Sequence, residues 1–170
     1  HVVFGELIVL RHLDAAEEIR DAGDAKPAEL FREGGVHKTY WALCCAKPDP
    51  GQALLTDWMT RNEKINKSFI AKGPGHEAKE ARLRYTYLRS TERYHLVEVE
   101  LLTGRHHQIR CQLANVGCPV KGDLKYGAKR SNPDGGISLH AHELTFLHPV
   151  RKEPITLTAP PPWHEIEQTK

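Results

Sequence analysis

Two short runs in this chain of 170 residues gather side chains that can bind anions or move protons. They are Arg105-His106-His107-Gln108-Ile109-Arg110 and Lys121-Gly122-Asp123-Leu124-Lys125-Tyr126. The first follows a Thr103-Gly104 turn and leads into apolar residues at Ile109, Leu113 and Val116. That is helical spacing, and it predicts a helix over 103–116. Two arginines, two histidines and a glutamine would then stand at a helix start, where unpaired backbone N–H groups already favour negative charge. A phosphate or carboxylate partner suits such a start. Net charge is only +2, but Arg105, Arg110, Lys121, Lys125, Lys129 and Arg130 fall within one short stretch. A local basic cluster of this kind is the electrostatic footprint of polyanion binding.

The same residues carry a resemblance to the RluA-type pseudouridine synthases. Thr103-Gly104-Arg105-His106-His107-Gln108-Ile109-Arg110 is similar to that family's T-G-R-x-H-Q-I/L-R, and Gly117-Cys118-Pro119-Val120-Lys121-Gly122-Asp123-Leu124-Lys125-Tyr126-Gly127 to its G-x-P-[IV]-x-G-D-x-x-Y-G. Leu139-His140-Ala141-His142-Glu143-Leu144-Thr145-Phe146-Leu147-His148-Pro149 resembles its L-H-A-x-x-L-x-F-x-H-P. Leu30-Phe31-Arg32-Glu33, Lys38-Thr39-Tyr40 and Thr158-Ala159-Pro160-Pro161-Pro162 add its F-R-E, K-T-Y and terminal A-P-x-P elements. One position departs: His106 stands where the family commonly has a small hydroxyl residue.

The resemblance implies an enzyme that detaches uracil from ribose at N1, rotates it and rejoins it through C5. A nucleophilic aspartate does the essential work, without metal or organic cofactor, by dividing one hard step into two easier ones. Its H-R-L-D-x-x-T-S-G motif is not intact in this chain. In the better alignment Gly5–Leu10 is the strand after the motif, and the aspartate falls one position ahead of His1. In the other, Arg11-His12-Leu13-Asp14 is a rearranged motif with Asp14 as nucleophile, although Asp14 reads equally as a helix-start acid. The resemblance implies that Tyr40 stacks on the target base or assists proton removal, and that Leu139 lines the uracil pocket. Arg105 would pair with the aspartate, since a nearby cation holds a carboxylate ionised. His107, Gln108 and Arg110 would fix a cleft wall or touch phosphate; Gln108 and Arg110 could equally serve the fold. Asp123 and Tyr126 would brace a loop that carries Lys121 and Lys125 to RNA, Tyr126 itself standing among the RNA-binding set. The target uridine must leave its stack, which favours loops and bulges.

Those side chains need elements to hold them. Glu6–Leu10 reads as a strand, Leu13–Glu18 and Ala28–Glu33 as helices around an inserted Arg20–Pro27, and Val36–Cys45 as a strand. Lys47–Gly51 is a turn, Asp57–Asn66 has no clear assignment, and Lys72–His76 is a loop. Glu80–Leu88 and Tyr94–Leu102 alternate as an antiparallel pair. Asn132–Gly136 is a loop; Ser138–Phe146 and Ile155–Thr158 are strands. Strands outnumber helices and connections are short, so the class is α+β with a mixed, mostly antiparallel sheet. The resemblance adds flanking helices and an RNA-binding cleft. Residues 1–170 read as a single catalytic domain lacking its N-terminal portion, with no repeat or linker.

Composition is ordinary for a globular domain, at 39% hydrophobic and 27% charged. Cys44, Cys45, Cys111 and Cys118 form no C-x-x-C pair and read as reduced thiols, in cytoplasm or a mitochondrial matrix rather than in a secreted protein. Eleven histidines leave a metal-dependent hydrolase as a minor alternative, with RNA contacts and hydrogen bonds the plainer reading. No apolar run approaches spanning length. The leading function is an RNA pseudouridine synthase acting on structured RNA, foremost ribosomal RNA or a pre-ribosomal particle. The alternative is an inactive synthase-like RNA-binding protein in ribosome assembly or as a ribosomal component.

Overall fold

The computed structural model describes residues 36–167. The strand at Glu6–Leu10, the helices around Arg20–Pro27, the F-R-E element and Asp14 lie outside the described residues. Seven strands follow the hydrogen-bonded order β3-β2-β4-β5-β1-β6-β7. They are β1 (Val36–Cys44), β2 (Gln52–Asn62), β3 (Lys67–Ala71), β4 (Lys79–Ser90), β5 (His95–Leu101), β6 (Leu139–Leu147) and β7 (Pro154–Thr158). The chain forms two compact units whose boundaries fall at Tyr40/Trp41, Leu139/His140 and Pro161/Pro162.

The larger unit is built on an antiparallel sheet. β2 pairs with β3, with β4 on its other side, and β4 pairs with β5. Alternation explains its sidedness: Ala81, Leu83 and Tyr85 of β4 are buried, while Arg82 between them is half-buried and Arg84 exposed. Val97 and Val99 bury the same side of β5. Helix α1 (Gln108–Asn115) covers the β2–β3 end. There Met59, Ala81, Cys111 and Tyr126 form a buried cluster with Ile70 and Ala114 against it. The end of β1 is tied to the loop that carries Lys121: Lys121 N donates to Leu43 O, and Leu43 N donates to Ser138 O.

The helix is shorter than the pattern predicted. Residues 103–107 form a turn, because the Gln108 side chain bonds to it and His107 adopts a left-handed backbone at φ 52° that interrupts helical propagation. Its far end is a Schellman stop: Cys118 N donates to Leu113 O and Gly117 N to Ala114 O, with Gly117 at φ +81°. Val116, expected on the apolar stripe, lies beyond the last turn and is 40% exposed. The unassigned segment Asp57–Asn66 is the end of β2 and the tip of the β2–β3 hairpin. The other strand assignments agree within about two residues, the usual uncertainty at element ends.

The smaller unit holds the β6–β7 hairpin, paired from Glu143↔Thr158 to Leu147↔Pro154. Leu144, Phe146 and Leu157 form its core, with Val36 and Ile155 packed against them. His140 Nε2 and His142 Nδ1 both meet Ala159 O, at 3.0 and 2.9 Å.

Candidate active site

The turn that presents Arg105 is built around one buried carboxamide. Gln108 Oε1 accepts from Thr103 Oγ1 at 2.7 Å and from Arg105 N at 2.9 Å, and its Nε2 donates to Arg82 O at 3.0 Å. Thr103 Oγ1 also accepts from Arg82 N. The Thr-Gly-Arg turn is thereby fastened to β4. The half-buried Arg105 side chain lies along the same strand, with Nε donating to Glu80 O at 2.8 Å. Among the described residues no carboxylate pairs with its guanidinium.

Behind this turn runs a closed polar network. Arg110 grips Asp123 in two parallel bonds, Nε to Oδ2 and NH2 to Oδ1, both 2.8 Å. Its NH1 lies 3.0 Å from His107 Nε2. Arginine has only donors, so His107 Nε2 must accept and the ring proton sits on Nδ1, which donates to the Tyr126 hydroxyl 2.9 Å away. Burial first, and then the Arg110 charge, push the His107 pKa down to about 3, so the ring is neutral. Tyr126 Oη also accepts the outward N–H of Ser68 on β3, at 2.9 Å. His106 stacks on His107, with ring centroids 3.7 Å apart.

His107 and Gln108 are each 1% exposed and turn their polar atoms to protein partners, which braces the turn. Arg110 and Tyr126 are likewise committed to Asp123, His107 and Ser68. The physical reason is shared: buried polar groups find internal partners. Lys121 donates to Glu165 Oε1 of the short helix α2 (His164–Glu167) at 2.9 Å and lies over the Tyr94 ring. That bond holds the Glu165 carboxyl below its ordinary pKa. Lys125 is exposed and donates to Ile65 O and Asn66 O at the hairpin tip. Leu139 opens β6, half-buried. Tyr40 is buried in the first part of β1, in the smaller unit.

Sequence reasoning missed the hairpin. Arg61 and Lys64 are exposed there, and Asn66 and Ser68 bond to His106. The excess of cations over acids in Arg61–Lys67 was the available signal. Among the described residues no three His, Cys, Asp or Glu side chains gather as a metal-ligand set.

Fold and motifs together define an α+β domain of the pseudouridine synthase type. A solved structure of human RNA pseudouridylate synthase domain containing 1 superposes with a TM-score of 0.65 at 26% identity, covering 79% of this chain and 58% of that one. Residues 24–115, over half of the chain, match the family model described as RNA pseudouridylate synthase, and the chain belongs to that family. Mitochondrial pseudouridylate synthase RPUSD4 of Xenopus tropicalis is 29% identical over 94% of this chain and 59% of its own length. Ribosomal large subunit pseudouridine synthase D of Xylella fastidiosa is 37% identical over 93% of this chain and 48% of its own. The chain thus spans about half the length of these curated relatives.

Proposed function

We propose that the whole protein isomerises a specific uridine to pseudouridine in structured RNA, ribosomal RNA being the first substrate to try. The observation that carries this is the Arg105 turn. A cation is fixed in place by the buried Gln108, half-buried itself, and has no acidic partner among the described residues. A cation so held is ready to orient an anionic nucleophile. In this reading the family's nucleophilic aspartate attacks the nucleotide, Arg105 keeps it ionised and aimed, Tyr40 meets the base and Leu139 supplies an apolar wall. No metal or organic cofactor enters. The relative named for the large ribosomal subunit supports ribosomal RNA as substrate, and the one named as mitochondrial supports a mitochondrial location.

The test is direct. The natural full-length protein is incubated with ribosomal RNA transcripts, and pseudouridine is mapped at nucleotide resolution. One or a few converted sites are expected, with Arg105→Ala lowering kcat by about a hundredfold or more, the scale for losing one preorganised electrostatic group. Binding without conversion by the wild-type protein would instead leave an RNA-binding relative of the enzymes.

A further inference from the structure

His106 plays no part in the proposed chemistry, yet its side chain joins two elements. Nε2 lies 2.8 Å from Asn66 Oδ1 and Nδ1 lies 2.8 Å from Ser68 Oγ, which is itself 2.7 Å from His106 O. The single Ser68 hydroxyl proton goes to the His106 carbonyl, which can only accept, and the two ring nitrogens bridge Ser68 Oγ and Asn66 Oδ1. Burial first, with Arg61, Arg110 and Lys125 nearby, favours the neutral form. The hairpin tip it holds is already shaped. Asn62 Oδ1 accepts from Lys64 N and Ile65 N, Asn66 sits at φ 49°, and Lys125 Nζ donates to the Ile65 and Asn66 carbonyls. The tip carries exposed Arg61 and Lys64, with exposed Ile65 and Phe69 beside them at 52% and 41%. Lys67 lies over the Phe69 ring. Cations interleaved with exposed apolar side chains suit a nucleic-acid backbone with an unstacked base against it.

We propose that His106 is a positioning residue that locks the β2–β3 hairpin to the Arg105 turn, so that the hairpin's cations meet the RNA at a fixed distance from the reacting uridine. This rests on the RNA reading above. The turn is rigid through Gln108 and the hairpin tip through Asn62 and Lys125. His106 is the side chain that bonds to both Asn66 and Ser68 from the turn, so it sets their relation.

The experiment compares the full-length wild type with His106→Ser, Asn66→Gly and the double variant. Serine is too short to reach Asn66, and glycine keeps the left-handed backbone while removing the carboxamide. Hydrogen exchange over 62–71 and steady-state kinetics on a converted RNA are read together. Each single variant is expected to speed exchange at the tip and raise KM by about fivefold, one hydrogen bond's worth, with kcat changing far less. The double variant is expected to be no worse than His106→Ser alone, because that change already removes the Asn66 contact. Unchanged exchange, additive losses, or faster exchange with an unmoved KM would each overturn the proposal. A wild type that neither binds nor converts any RNA sinks the activity reading and the RNA half of this one, while the exchange data still decide the clamp.

Discussion

Gln108 shows how much one buried carboxamide can organise. It satisfies a hydroxyl, an amide N–H and a carbonyl that would otherwise be buried without partners. Gln108→Ala should therefore cost about 1–3 kcal/mol in urea unfolding, the penalty of orphaned buried polar groups, and lower kcat by loosening Arg105. His107 gives a pH signature. Its folded pKa of about 3 lies below the ordinary 6.5, so the unfolded chain binds the extra proton between those values. Stability from this group is fully present above pH 6.5 and falls as pH drops toward 3, by up to about 1.4 kcal/mol per pH unit. His107→Asn keeps a donor toward Tyr126, tolerates the left-handed backbone and cannot titrate. Denaturation midpoints from pH 7 to 4 should accordingly fall less steeply in that variant than in the wild type. Equal slopes would show that the ring is not held neutral.

At the scale of elements, the loop carrying Lys121 and Asp123 depends on a glycine with no room to spare. Gly122 sits at φ +85°, and a Cβ there would meet Gly136 O at 2.6 Å and the Asn132 side chain at 2.7 Å. Gly122→Ala must displace the 131–137 loop; a loss of about 1–3 kcal/mol is expected, together with faster proteolytic nicking of that loop. Much of this architecture was legible beforehand. The alternation in Leu96–Leu101 marked β5, and the motif runs marked the Arg105 turn and the Lys121–Tyr126 loop. Three things were not legible. A 3.6-residue pattern cannot tell that the chain before Gln108 is held as a turn by that residue's own side chain. Nor can it tell which basic residues pair within the protein, since Arg110 and Lys121 look like solvated cations until Asp123 and Glu165 are placed beside them. The hairpin cations were hidden for the opposite reason: β2 is half exposed along its length, and its mixed composition imitates a loop.

For the whole molecule, modest net charge and local basic patches predict RNA affinity dominated by few phosphate contacts. The log of the affinity of the full-length protein should fall linearly with log salt, and Arg61→Ala or Lys64→Ala should each reduce the slope by about 0.7–0.9. An unchanged slope in both would place the RNA elsewhere on the surface. The Tyr126 hydroxyl has a consequence on this scale too. β3 is the last strand of the sheet, and the N–H of Ser68 that points away from β2 is received by that hydroxyl, while its carbonyl receives the Cys111 thiol. A phenol and a thiol thus stand where another chain's strand could add itself. Tyr126→Phe would keep the cover with hardly any change in shape but leave the buried Ser68 N–H without its acceptor, and the mark of it would be a urea midpoint lowered by about 1–3 kcal/mol of stability in a protein that stays unassociated.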